Sequence, residues 1–184
     1  MAEAESASYG QAPGVERQPA TQAQARALAS STRLRILRLC LSEALTNKQL
    51  ATRLRKHPAS VLHHVRTLVD TGFLVAEPVR RGTRGAREVP YRATGLSWKV
   101  DLGDSVAGKS DAVLQAFLEE VAAAGHAQLQ STRLGLRLPA EEMEEFRRRL
   151  QQVFEEFARR PMDPHGQRWS VYLGIHPEAE PGTD

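Results

Sequence analysis

The chain has 184 residues, 41% of them hydrophobic, which suits one domain or two small ones and is ample for a hydrophobic core. No apolar run approaches the roughly 20 residues that a membrane helix needs, and the N-terminal segment has no basic stretch followed by an apolar one, so we expect neither a membrane span nor a secretory signal. Cys40 is the single cysteine, which excludes a disulfide framework within the chain and fits a reduced, cytoplasmic location.

The charge is distributed unevenly along the chain. Residues 26–95 contain fourteen Lys or Arg against four acidic residues, a balance of +10, whereas residues 1–25 give −2 and residues 96–184 give −5. A basic first half followed by an acidic second half indicates a nucleic-acid-binding module joined to another unit. Residues 1–24, which are rich in Ala, Ser, Gln, Pro and Glu, are predicted to be a disordered tail, as are residues 178–184.

Three short helices are predicted in the basic half. The first follows a Ser-Ser-Thr cluster at residues 30–32 and has leucines at helical spacing. The second begins at Thr46, which can cap the helix with Gln49 as its reciprocal partner. The third begins at Pro58, whose missing N–H suits the first helical position, and ends at Gly72. The second and third helices form a helix-turn-helix, and the third would enter the major groove of DNA.

A wing is predicted directly after these helices. The stretches "FLVAEPVRRG" and "REVPYRAT" alternate as strands do, and "GTRG" between them supplies turn glycines. The tip of this hairpin carries a cluster of arginines, which can bind backbone phosphate or enter the minor groove. Residues predicted to read bases or adjacent phosphates are Ser60, His63, His64 and Thr67, and those predicted to hold the backbone are Arg66, Arg80, Arg81, Arg84 and Arg87.

The segments "LASSTRLRIL", "LATRLRKHPASVLHHVRTLVDTGFLV" and "RRGTRGAREVPYRAT" resemble, in this order, the winged helix-turn-helix of ArsR-type bacterial transcriptional regulators, in particular the actinobacterial branch. The resemblance covers residues 25–95, less than half of the chain, and it implies a DNA-binding regulator. Leu62 and Val65 depart from the "VS-x-HL" pattern that is frequent in the family. Because Leu62 cannot donate a hydrogen bond to a base, the resemblance implies no particular operator sequence.

Many relatives in that family sense metals through a paired-cysteine motif on the helix before the recognition helix. The corresponding segment, "TNKQLATRL", has no cysteine. Asp111, Glu119 and His126 are of the residue types found at the family's distal site, but they show no clear ligand spacing. We therefore expect no metal and no cofactor. No Ser–His–Asp, Cys–His or phosphate-cradling glycine motif stands out, so we expect no enzymatic activity.

The acidic half predicts the order helix, strand, helix, strand. The first of these helices is predicted to bury a broad apolar face, Val113, Leu114, Phe117, Leu118 and Val121. Residues 131–138 and 168–176 alternate as strands do, and the second helix, starting near Pro139, has apolar residues at spacings of 3 and 4. The predicted fold class is therefore α+β, with a winged helix-turn-helix DNA-binding domain at residues 25–98 and a small helix-strand-helix-strand domain at residues 99–177.

The apolar stripes of the second domain are either its own core or part of a dimer seam. A small-molecule pocket there would be lined, for example, by Phe117, Phe154, Trp169 and Tyr172.

Taken together, the sequence favours a cytoplasmic, sequence-specific DNA-binding transcriptional regulator, a repressor that acts as a homodimer on a palindromic site. The expected partners are double-stranded DNA, a second copy of the chain and a small-molecule effector of unknown identity. We expect no association with a membrane. The alternative is a winged-helix protein-interaction or adaptor module whose arginines are merely solvated. RNA binding is disfavoured because the basic half has no aromatic stacking platform.

Overall fold

The computed structural model describes residues 17–82, 85–101, 109–163 and 165–178. The helices are α1 (Gln22–Leu28), α2 (Ser31–Ser42), α3 (Asn47–Leu54), α4 (Pro58–Asp70), α5 (Lys109–Ala124) and α6 (Ala140–Arg159). The strands are β1 (Gln18–Pro19), β2 (Leu45–Thr46), β3 (Leu74–Ala76), β4 (Arg80–Arg81), β5 (Arg87–Glu88), β6 (Pro90–Ala93) and β7 (Val100–Asp101). Within these ranges no helix has both the length and the hydropathy to cross a membrane.

The predicted helix-turn-helix is confirmed as helices α3 and α4. Thr46 caps α3, because its hydroxyl accepts the N–H of Gln49 at 3.3 Å while the Gln49 side-chain oxygen accepts the N–H of Thr46 at 2.9 Å. Pro58 occupies the first turn of α4, as expected. Gly72 follows the helix with a φ of 79°, a left-handed conformation that a glycine adopts without steric cost.

The predicted wing is also confirmed. Strands β3 and β6 pair antiparallel, with Leu74 opposite Ala93, and β4 and β5 form a second antiparallel ladder nearer the tip. Strand β2, which was not predicted, pairs with the other edge of β6 and makes a three-stranded sheet of order β2-β6-β3. The hydroxyl of Thr94 donates to the carbonyl of Gly72 at 2.8 Å and so fastens the end of the wing to the end of α4.

The core lies between α2, α3, α4 and the base of the wing. Its side chains with less than 2% exposure include Ile36, Cys40, Leu45, Leu50, Val61, Val65, Leu68 and Phe73. Burying a large aliphatic or aromatic side chain contributes about 1.5–3 kcal/mol. This set therefore fixes which side of α4 faces inward and which side faces solvent.

The N-terminal boundary of the folded part lies earlier than the sequence predicted. Residues 18–24 belong to the predicted tail, yet they contain β1 and the first residues of α1. Thr21 caps α1 through a reciprocal pair of bonds with Gln24, and β1 runs parallel to β7, with Gln18 opposite Val100. The sequence pattern missed this segment because its two-residue strand depends on a partner about 80 residues away.

Helix α5 packs against α2 through a face that overlaps only partly with the predicted one, since Val121 belongs to both. Ala112, Ala116 and Val121 are buried, whereas Val113, Leu114 and Leu118 are 38–47% exposed. The small alanine side chains let α5 approach α2 closely, so the large apolar residues next to them turn outward. Ion pairs reinforce this orientation, namely Arg35–Glu119 at 2.6 Å and Arg38–Glu120 at 3.2 Å.

The mixed helix-and-strand class is confirmed, but the two strands predicted in the C-terminal half are not formed. Residues 131–138 and 168–176 pair with no strand in the described part of the chain, and residues 131–138 are exposed throughout. Alternation shows that one face of a segment is apolar, but a strand also needs a neighbour for its backbone groups. The predicted second helix is present as α6, and its apolar stripe includes Val153 and Phe157, which are 52% and 57% exposed.

Candidate nucleic-acid interface

The outward face of α4 carries Ser60, His63 and Arg66, all exposed. The orientation of this face follows from the core, because Val61, Val65 and Leu68 are completely buried on the opposite side. Positions 60, 63 and 66 follow one another at a spacing of three residues, so their side chains share one side of the helix. Three of the five α4 residues that the sequence selected are therefore fully available to a ligand.

The other two selected residues of α4, His64 and Thr67, lie partly inside the fold. The Nδ1 atom of His64 is buried and has no hydrogen-bond partner among the described residues. Burial, together with the nearby positive charge of Arg33, lowers the pKa of His64 below its ordinary value, so the ring is neutral near pH 7. The Thr67 hydroxyl donates to the carbonyl of His63 at 3.1 Å and is thus already engaged.

The arginines of the β4–β5 ladder differ in whether they have partners. Arg80 donates to the Gln49 side-chain oxygen at 3.1 Å and lies 3.9 Å from a carboxylate oxygen of Glu88. Arg81 and Arg87 stand directly opposite each other on β4 and β5, and both are exposed. They line a cleft of about 420 Å³ together with Arg80, Val79 and Gly85. Arg84, the remaining predicted wing residue, lies outside the described residues.

Two hydrogen bonds bring the three elements of this surface together. The side-chain amide of Asn47, at the start of α3, donates to the carbonyl of Pro58 at the start of α4, at 3.0 Å. The Gln49–Arg80 bond ties the same turn of α3 to the wing. The first turn of α3 is thus hydrogen-bonded both to the start of α4 and to the wing.

Further basic residues, which were not among those predicted from the sequence, border this surface. Lys48 on α3 and Arg55 and Lys56 in the turn before α4 are all exposed. Arg55 closes α3 in the left-handed conformation, with a φ of 53°, which is uncommon for a residue with a side chain. The signal was available in the sequence, because a turn that precedes a recognition helix lies beside its N-terminus.

The residues weighed for metal binding are not brought together. Glu119 instead accepts hydrogen bonds from Ser31 at 3.0 Å and Arg35 at 2.6 Å. Burial opposes ionisation of Glu119, but these hydrogen bonds outweigh it and hold the pKa of the carboxyl below its ordinary value. Over the described ranges, no group of three or more His, Cys, Asp or Glu side chains could hold a metal ion.

Fold and surface together define a winged helix-turn-helix domain. A family model described as a helix-turn-helix domain matches residues 28–81, which spans α2, α3, α4 and the first strands of the wing. The match covers less than half of the chain, and it includes every predicted α4 residue as well as Arg80 and Arg81. No match is found among curated proteins.

Several solved structures of bacterial proteins have a distant likeness to this chain. Reduced HlyU from Vibrio cholerae is 21% identical over 52% of this chain and 84% of its own, with a TM-score of 0.33. The adhesin competence repressor AdcR of Streptococcus pyogenes is 23% identical over 68% and 78%, with a TM-score of 0.33. ZitR of Lactococcus lactis in complex with DNA is 18% identical over 83% and 86%, with a TM-score of 0.32.

Proposed function

We propose that the protein is a sequence-specific, DNA-binding transcriptional regulator of the ArsR type. The observation that carries the proposal is the pair of hydrogen bonds from the first turn of α3, one to the start of α4 and one to Arg80. These bonds hold the exposed face of α4 and the wing arginines next to each other, so that they form one basic surface. On this surface, Ser60 and His63 would reach base edges in the major groove, while Arg66 and the wing arginines hold the phosphates. His64 and Thr67 then support the helix rather than read bases.

Binding of mixed genomic DNA fragments, measured by fluorescence anisotropy over a range of salt concentrations, tests the proposal. A regulator of this kind binds at low salt and loses affinity steeply as salt rises, and a subset of fragments persists at higher salt. Sequencing the persistent fragments gives the site and its symmetry. An adaptor module, the alternative reading, would show no duplex binding even at low salt, and that outcome refutes the proposal.

We further propose that residues 99–177 serve dimerisation and that the regulator acts as a homodimer on a palindromic site. The support lies in α6, where no other described element packs extensively against the apolar stripe. The stripe consists of Met143, Phe146, Leu150, Val153 and Phe157. A second copy is the occupant we favour, because a twofold interface lets the same stripe meet itself and matches the symmetry of a palindrome.

Sedimentation velocity distinguishes this dimer from other uses of the stripe. Leu150→Asp buries a charge in the seam and is expected to convert the dimer to a monomer that keeps its helical content. Gln152→Asp, on an exposed part of the same helix, is the matched control and should leave the dimer intact. A wild-type protein that sediments as a monomer at micromolar concentration would overturn the dimer, and with it repression through a palindrome.

A further inference from the structure

A second cavity lies on the side of α2 that faces away from the core. It has a volume of about 630 Å³, is open to solvent on one side, and is lined by α2, the end of α3, α5, residues 128–130 and the extended segment 167–170. This volume falls within the range of small-molecule sites. The segment 167–170 is held in place by polar contacts, with Arg38 donating to the Trp169 carbonyl and Ser170 to a Glu120 carboxylate oxygen, each at 2.5 Å.

The cavity is unusually rich in arginine. Four of these residues line it, namely Arg35, Arg38, Arg53 and Arg168. Three carboxylates pair with them, since Glu119 binds Arg35, Glu120 binds Arg38, and Glu43 is shared between Arg53 at 2.7 Å and Arg168 at 2.6 Å. One positive charge is therefore in excess, and it lies where Glu43 is divided between two guanidinium groups.

One wall of the cavity is apolar, although Gln128, Gln130 and Gln167 also line the cavity. Its main surfaces are Phe117, Val121, Leu129 and Trp169, with the methyl groups of Ala123 and Ala124. The ring of Tyr172 stacks on that of Phe117, with centroids 5.3 Å apart, and restrains its orientation. A flat apolar body fits against this wall, and a negative group at one end of it would meet the excess positive charge.

We propose that this cleft binds small amphipathic anions, with an aromatic or aliphatic body and a single carboxylate. The carboxylate takes the place of Glu43 on Arg168, so that each arginine of the shared pair has its own partner. The body displaces water from Phe117, Val121 and Trp169. Neutral ligands of the same shape gain only the binding free energy of the apolar contacts.

The position of the cleft makes such a ligand an effector, a consequence that rests on the proposed DNA binding. Arg53 is in the last turn of α3, and the first turn of the same helix is hydrogen-bonded to α4 and to the wing. Arg35 and Arg38 are on α2, which packs on α4 from its other side. A ligand that changes the pairing of Arg53 therefore acts directly on a helix of the DNA-binding surface.

Calorimetric titration of the full chain with naphthoate and with naphthamide, its neutral counterpart, tests the site. We expect naphthoate to bind at least about tenfold more tightly, and Arg168→Gln to remove most of that difference while leaving naphthamide unchanged. Ala124→Trp, which fills the cleft from an exposed position, should abolish binding of both. Arg149→Gln removes an exposed arginine of α6 and serves as the control.

Equal affinities for the two compounds, absence of naphthoate binding, or an unaffected Arg168→Gln variant would each overturn the site. The regulatory consequence is tested separately by DNA anisotropy with and without saturating naphthoate. If naphthoate binds but DNA affinity does not change, the effector role is wrong and the site stands. If the protein binds no DNA, the proposed function fails while the calorimetry still decides the site.

Discussion

Removal of Arg81 and Arg87 isolates the phosphate contacts of the wing. Both side chains are exposed, and neither forms a hydrogen bond or ion pair with a described residue, so Arg81→Ala/Arg87→Ala removes no contact on which the fold relies. Because like charges stand directly opposite each other on β4 and β5, the substitution also relieves a repulsion. We therefore expect the free energy of unfolding to stay the same or to rise slightly.

The loss in DNA affinity follows from counterion release. Each phosphate contact contributes about 0.9 to the slope of log K against log salt, so two lost contacts should reduce the slope by about 1.8. At 0.1 M salt this corresponds to roughly 60-fold weaker binding, on all sequences alike. Fluorescence anisotropy from 50 to 200 mM salt measures both quantities on a specific and a scrambled duplex.

A matched control removes the same charge elsewhere. Arg133→Ala/Arg137→Ala takes two exposed arginines from the segment 131–138, outside the basic half, and should keep the wild-type slope. If the wing variant also keeps the wild-type slope, or if both variants lose the same amount, the wing does not touch phosphate. The basic surface would then act only through the overall charge of the chain.

Three further results are expected. Ser60→Ala and His63→Ala should change base preference by about 1–3 kcal/mol per lost contact with little change in salt slope, and an unchanged profile in binding-site selection would argue against both positions. Burial raises the pKa of the Cys40 thiol to about 12, so a thiol reagent at pH 8 should label the native protein only as fast as it unfolds, whereas immediate labelling would contradict the buried position. The hydrogen bonds from Arg53 and Arg168 lower the pKa of Glu43 from 4.5 to about 2, so its stabilising effect is complete above pH 4.5 and is lost as the pH falls towards 2. Denaturant unfolding should accordingly show Glu43→Gln less stable than wild type at pH 7 but close to it near pH 2, and a constant difference at both values would contradict this assignment.

The helix-turn-helix and the wing were predictable because their signals are local. The Thr46–Gln49 capping box, Pro58 at the start of α4 and Gly72 after its end each fix a boundary within a few residues. The apolar period of α4 then fixes which side faces solvent. His64 shows the limit of such a pattern. It lies at the edge of the apolar stripe of α4, so its burial depends on how neighbouring elements pack, which the pattern does not report.

The acidic half was predicted less well because its structure depends on long-range contacts. The apolar content of α5 pointed to its large side chains, but the face that meets α2 is the one with Ala112 and Ala116, where close approach is possible. Two alternating segments predicted strands without any indication of what would pair with them. The Glu43–Arg168 ion pair, which helps to build the cleft, joins residues 125 positions apart, and no local pattern reports it.

The pairing of β1 with β7 places the two ends of the winged helix-turn-helix fold side by side. Adjacent strands lie roughly 5 Å apart, and Gln18 stands opposite Val100. A unit whose two ends meet in this way can be transplanted into a surface loop of a different host without stretching either connection. The same neighbourhood suits circular permutation, in which a short Gly-Ser bridge joins the old ends and new ends open elsewhere.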